Sequence, residues 1–320
     1  MILHKNKEDF LSAIQVTSKT LGIREVFVEK DYWVCYILKN LSQSQYKNDV
    51  VFKGGTSLSK AHNIIHRFSE DVDLAIIAND KNDNQIKKLI SAIEKDIVKT
   101  QFKEVNKANV TSKHGRFRKT VWEYERASSG DFGHANPELL LEINSFTIPS
   151  PFHAGKIQTY IADYFDVKEL AFEKKNYELN PFEVNVLDIR RTFAEKVAAI
   201  IRASHQDQES HSHLKRKIRH LYDLAMLMRN KKISEFLDKG EFKKFFEAVK
   251  NDDQKISKEQ NESVNLEVSK LAIFQSTDKV IAEITSTYKN EFATLVYNLD
   301  QMPSVEEIKK TIETIKGLLE

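Results

Sequence analysis

Residues 51–75 read VFKGGTSLSKAHNIIHRFSEDVDLA, and they leave the backbone few options. A short apolar strand runs into Gly54-Gly55, then a hydroxyl-rich turn and helix. A second strand carrying Asp71-Val72-Asp73 follows Arg67-Phe68-Ser69. Strand side chains alternate, so Asp71 and Asp73 share a face about 7 Å apart. Two such carboxylates can bridge paired divalent ions. Ions about 3.5–4 Å apart steady the attacking and leaving oxygens of an in-line phosphoryl displacement. Gly54 and Gly55 let the backbone approach a phosphate, with N–H groups at a helix start aimed at it. The hydroxyls of Thr56, Ser57 and Ser59 would add donors. Taken singly, Gly-Gly before a helix is often only a turn, and Asp-x-Asp a solvated edge. The complete order, tightly spaced, favours the functional reading.

The 320 residues are 41% apolar, 30% charged and 10% aromatic, with only nine Gly and five Pro, which disfavours long disordered linkers and loop-rich β folds. No apolar run approaches the ~20 residues of a membrane span. The first residues, MILHKNKEDFLSAIQ, lack the apolar core of a signal peptide. Cys35 is the single cysteine, which excludes an intrachain disulfide and reads as a buried core thiol. A cytoplasmic protein is expected. Net charge is only +2, but two basic clusters stand out. One spans 107–119 with Lys107, Lys113, His114, Arg116, Arg118 and Lys119. The other spans 215–220 with Lys215 and Arg216. Each can hold phosphates or form a solvated face.

Periodicity predicts amphipathic helices over 7–21, 25–42 and 82–99, a strand over 49–53 and a hairpin over 103–126 turning at 113–115. Residues 139–146 (LLLEINSF) read as a strand buried on both faces. The stretch from Pro149 to Pro151 is expected to end the sheet, with 156–187 a junction. Helices follow from Asp188, over 188–204 and 214–229. The charged trio Glu29-Lys30-Asp31 reads most simply as a solvated face, with its acids alternatively lining a cleft.

A desolvated carboxylate is costly unless paired or metal-bound. Glu142 in LLLEINSF is therefore a candidate third carboxylate; the alternative is a solvent-facing side or pairing with Arg126 or Arg118. In such a triad one acid also serves as base toward an incoming hydroxyl. Lys196 sits away from the apolar face Ala194, Val197, Ala198 and Ile201. It can reach out to a triphosphate as a point charge, or be an ordinary surface lysine. Asp223, alone among apolar neighbours, can pair with Arg219 one turn upstream or face a catalytic cleft and orient Lys196. His205, His211, His213 and His220 lack cysteines and regular zinc-ligand spacing, so a polar loop is expected there.

The segments EKDYWVCYIL (29–38), FKGGTSLSKAH (52–62), RFSEDVDLAI (67–76), LLLEINSF, FAEKVAAIIRA (193–203) and RHLYDLAML (219–227) together resemble the AbiEii/AbiGii nucleotidyltransferase toxins, including MenT-like proteins. The resemblance implies an α+β fold. A polymerase-β-type core, a mixed sheet with flanking helices, would be followed by a helical bundle. Residues 1–165 would form the core with its N-terminal helices. Residues 166–320 would form a mainly helical domain completing the active-site cleft. It implies that Asp71 and Asp73 bind Mg²⁺ or Mn²⁺, and that Gly54, Gly55, Thr56 and Ser57 bind nucleotide. Lys196 falls on the family's triphosphate-binding lysine, Asp223 on its late catalytic aspartate, and Ser69 on a position that an antitoxin can modify. Glu142 would be the third metal-binding carboxylate. The implied activity is NMP transfer from an NTP to RNA, chiefly the tRNA 3′ end, blocking translation. Lys113, Arg116, Arg118, Lys119, Lys215 and Arg216 would hold the acceptor stem, and a cognate antitoxin would be the partner. Transfer to a protein hydroxyl and non-catalytic NTP or partner binding are the alternatives.

Overall fold

A computed structural model describes residues 1–78, 81–98, 101–105, 111–113, 115–207, 212–253 and 270–320. Lys107, His114 and His211 lie outside them. The chain divides into two compact units: residues 1–62 with 68–187, and residues 63–67 with 188–320.

The first unit opens with helices α1 (Lys7–Leu21) and α2 (Glu25–Gln43). Asn6 caps α1 by accepting from the N–H groups of Glu8 and Asp9, and Gly22, at φ 69°, ends it in the left-handed region. Strand β1 (Val50–Lys53) leads into α3 (Gly54–Lys60), and β2 (Asp71–Ile76) into α4 (Asp83–Val98). Helix α4 buries Ile86, Ile90, Ile93 and Ile97, the stripe its 3.6-residue period predicts. Then come β3 (Phe102–Glu104), β4 (Thr111–Lys113), β5 (Phe117–Tyr124), β6 (Leu139–Asn144) and β7 (Phe152–Ile157). Helices α5 (Tyr160–Val167) and α6 (Ala171–Asn176) precede β8 (Phe182–Leu187).

The described strands form one mixed sheet in the order β3-β5-β6-β2-β1-β8-β7, with β4 paired to β5. The sheet does not end at Pro149–Pro151. Strand β8 pairs parallel with β1, and β7 pairs antiparallel with β8, so 152–187 belong to the first unit. The alternation in VNVL (184–187), two apolar positions split by Asn185, was too short to separate a strand from a junction.

Strand β6 is not buried on both faces. Leu139, Leu141 and Ile143 are fully buried beside Val72 and Leu74, whereas Leu140 and Glu142 alternate with them on a half-buried face.

The second unit is helical. Asp188 caps α7 (Ile189–Gln206), accepting from the Arg190 N–H at 2.9 Å. The expected helix over 214–229 breaks at Lys217 into α8 (Ser212–Arg216) and α9 (Ile218–Met228). Helices α10 (Lys231–Asp238) and α11 (Phe242–Asp253) follow, and Val305–Leu319 is the last helix. Residues 63–67 are tied in by backbone: the His66 N–H donates to the Tyr222 hydroxyl at 3.1 Å, and the Tyr297 N–H to the His66 carbonyl at 3.0 Å. Among the described residues no helix is long and apolar enough to cross a membrane.

Candidate active site

Register fixes which side chains share a face of the first unit's sheet. Lys53 is opposite Asp73, Asp73 is beside Glu142, and Glu142 is opposite Lys119. These four residues form one row across β1, β2, β6 and β5. Asp71 stands two residues from Asp73 on the same face, and both are half-buried.

Gly54 explains how Asp73 fits there. Its φ is +79°, a region costly for residues with a Cβ, and an added Cβ would overlap the Asp73 carboxylate. The first glycine is therefore needed for the close approach of an acid, a reason not evident from the string GG.

The hydroxyls of α3 are spoken for. Thr56 Oγ1 donates to the Asp71 carbonyl at 2.6 Å, so its 3.0 Å contact with Ser69 Oγ has Ser69 as donor. Ser57 Oγ donates to the Gly54 carbonyl at 2.9 Å and Ser59 Oγ to the Thr56 carbonyl at 3.0 Å. All three are buried. These contacts fix α3 and the start of β2.

Hard carboxylate oxygens suit Mg²⁺ or Mn²⁺, ions commonly held by one or two carboxylates with water and substrate phosphates completing the shell. Asp71 and Asp73 fit that role. Glu142 shares their face, but no group of three or more His, Cys, Asp or Glu side chains among the described residues is arranged to hold a metal ion. Glu142 is half-buried, as Asp71 and Asp73 are. Arg118 lies on the opposite face, bound to Glu94, and Arg126 donates to the Gly130 carbonyl.

The Glu29-Lys30-Asp31 trio is not a solvated face: the three are 1%, 0% and 4% exposed. Each clamps a different segment. Glu29 accepts from the N–H groups of Ala127 at 2.6 Å and Ser128 at 2.9 Å. Lys30 Nζ donates to Glu70 Oε2 at 2.8 Å, and Lys60 Nζ donates to Asp31 Oδ1 at 2.6 Å. Helical periodicity does not reveal this, because residue type alone places charged side chains outward.

In the second unit Lys196 is also buried, against the surface-lysine reading, and its Nζ donates to Asp223 Oδ2 at 2.6 Å. Arg67 grips the same carboxylate, Nε to Oδ1 and Nη2 to Oδ2, both at 2.8 Å. Burial alone pushes the Asp223 pKa up. The charges and hydrogen bonds of Arg67 and Lys196 outweigh it and hold the acid well below the usual carboxylate range. With one acid and two cations the cluster carries net charge +1. The sequence carries no signal for this role of Arg67, because Asp223 lies 156 positions further along the chain.

The basic clusters are divided. Arg116 pairs with Asp83, and Arg118 with Glu94 and Glu104. Lys113 ends β4 and Lys119 stands in the carboxylate row. Lys215 and Arg216 lie on α8; Arg216 is exposed and Lys215 half-buried. His213 is held by Asp207 at 2.9 Å, and burial, with the nearby charges of Lys196 and Lys217, pushes the His220 pKa well below its ordinary value.

Comparison with curated protein sequences returns no match. Among solved structures, the chain is similar to MenT4, a nucleotidyltransferase toxin from Mycobacterium tuberculosis H37Rv. The identity is 17%, coverage 94% of this chain and 98% of that one, and the TM-score 0.48. The family model described as nucleotidyl transferase AbiEii toxin, type IV toxin–antitoxin system, matches residues 36–311. The chain belongs to the AbiEii family of nucleotidyltransferase toxins.

Proposed function

We propose that this nucleotidyltransferase toxin moves an NMP from an NTP onto RNA, with the tRNA 3′ end as acceptor, and so blocks translation in the cytoplasm. The observation that carries the reading is the half-buried Asp71/Asp73 pair, with Asp73 seated against Gly54, in a chain of this family.

Asp71 and Asp73 would hold the divalent ion, Mg²⁺ or Mn²⁺. When bound, such an ion offsets the charge that develops on the transferring phosphoryl group. The acceptor 3′-hydroxyl oxygen bonds to the α-phosphorus. The bond to the bridging oxygen breaks, and pyrophosphate leaves with that electron pair. The hydroxyl proton passes to a carboxylate of the pair. Backbone N–H groups at Gly54 and Gly55 would face phosphate oxygens. Lys196, oriented by Asp223, would neutralise the triphosphate, with Arg67 holding Asp223 in place. Lys119, Lys215 and Arg216 would contact RNA phosphates, contacts that need carry no sequence information. A cognate antitoxin would be the partner. Modification of Ser69 would remove the donor that now holds Thr56.

Incubation with total RNA, Mg²⁺ and each α-labelled NTP in turn tests the reading. Label in tRNA-sized RNA that disappears with Asp71→Ala supports it. Label on a protein band instead would make a protein hydroxyl the acceptor. No label anywhere, with the cellular effect surviving loss of both aspartates, would favour a binding module.

A further inference from the structure

Glu70 immediately precedes Asp71 in the chain, and its side chain is locked at 3% exposure. Its Oε2 accepts from Lys30 Nζ at 2.8 Å and from the Asn136 N–H at 3.0 Å. Lys30 Nζ also donates to the Asn136 carbonyl at 2.5 Å and lies 5.8 Å from the centre of the Phe132 ring. Lys30 is 0% exposed. One carboxylate thus joins α2, the 132–136 loop and the first residue ahead of β2. Asp71 is held from its other side as well, through its carbonyl and Thr56.

A buried ion pair is a poor stabiliser, because desolvation offsets much of the attraction. Apolar replacements of the whole pair are often neutral or better. Retaining one directly ahead of a metal-binding acid therefore calls for another account. Beyond Glu70, the charges acting on the Lys30 ammonium are those of Asp71 and Glu138.

We propose that Lys30 and Glu70 are positioning residues: their ion pair fixes the backbone entering Asp71 and so sets the divalent-cation affinity of the Asp71/Asp73 pair. The proposal rests on the metal-binding reading of those aspartates. Groups behind metal ligands characteristically change affinity or activity about 10–100-fold when removed. Glu29 supplies the control. It is equally buried in the same helix turn, but it holds Ala127 and Ser128 rather than the approach to β2.

The test is Mn²⁺ titration of the full chain by EPR, without nucleotide, beside thermal unfolding. Lys30→Met/Glu70→Gln removes both charges together and strands neither. Expected is Mn²⁺ affinity about 10–100-fold weaker with cooperative unfolding retained. Glu29→Gln is expected to unfold earlier while keeping wild-type Mn²⁺ affinity. Should the double variant fail to fold, Glu70→Asp decides: it keeps the charge, withdraws the carboxylate by one methylene, and is expected to weaken Mn²⁺. Wild-type affinity in the folded variant, or an equal loss in Glu29→Gln, overturns the positioning role. Wild-type affinity in Asp71→Ala overturns the metal assignment itself, and this proposal with it.

Discussion

Arg67 binds Asp223 with two parallel hydrogen bonds, each 2.8 Å, and Lys196 adds a third at 2.6 Å. Asp223 is 0% exposed, Arg67 3% and Lys196 5%. Removing one partner strands the others in a low-dielectric interior. Arg67→Met and Asp223→Asn are each expected to cost about 3–5 kcal/mol of stability. Arg67→Lys should recover little, because an ammonium cannot offer the two-pronged fork. Urea unfolding followed by far-UV circular dichroism measures this directly, since the second unit is helical.

Gly54→Ala adds one carbon where Asp73 already sits, at a left-handed φ of +79°. The strained backbone should cost about 1–3 kcal/mol. The displaced carboxylate should lower nucleotidyl transfer by at least about 10-fold. Gly240 has a similar φ of +68° but nothing near an added Cβ. Gly240→Ala should therefore lose stability without losing transfer. Comparing the two variants by thermal unfolding and activity separates backbone strain from displacement of Asp73.

The carboxylate strand and its glycine turn were legible because strand alternation and a positive-φ turn are local properties. The stripe of α4 and the apolar face of α7 were legible for the same reason. What escaped was tertiary. Glu29, Lys30 and Asp31 look like surface residues until their partners, at Ser128, Glu70 and Lys60, are brought to them. Lys196 looks exposed until Asp223 and Arg67 enclose its charge. Glu142 looked desolvated because its neighbours are leucines, yet alternation turns it to the open face. Strands β7 and β8 escaped because a two-residue period over six residues is a weak signal beside Pro149 and Pro151.

Stability should fall on mild acidification. Burial, then the charges of Lys196 and Lys217, hold the His220 pKa well below its ordinary value of 6.5. The unfolded chain takes up that proton below about pH 6.5 while the folded chain does not. The folded state is thus fully favoured above this pH and loses up to about 1.4 kcal/mol per pH unit below it. The depressed Asp223 carboxyl acts in a lower window, its contribution being lost only below pH 3.8. Urea midpoints from pH 7 to 5 should therefore fall in the wild type and fall less steeply in His220→Leu.

Charge reversal should separate Lys119 from its basic neighbours. Lys119 shares the row of Asp73 and Glu142, so Lys119→Glu should cut transfer to RNA by about 10-fold with stability nearly unchanged. Arg118 is bound to Glu94, which is 5% exposed at its side chain. Arg118→Glu should cost about 1–3 kcal/mol, because the buried acid keeps Thr120 but loses its charged donor and gains a like charge. Thermal unfolding and RNA labelling on the same samples distinguish the two effects.

The most direct test of the account uses purified tRNA and α-labelled NTP, with the 3′-terminal diol either intact or oxidised by periodate. Label on intact tRNA alone is the predicted result, lost with oxidised tRNA and with Asp71→Ala/Asp73→Ala. Equal labelling of oxidised tRNA, or undiminished labelling by the aspartate variant, would contradict it.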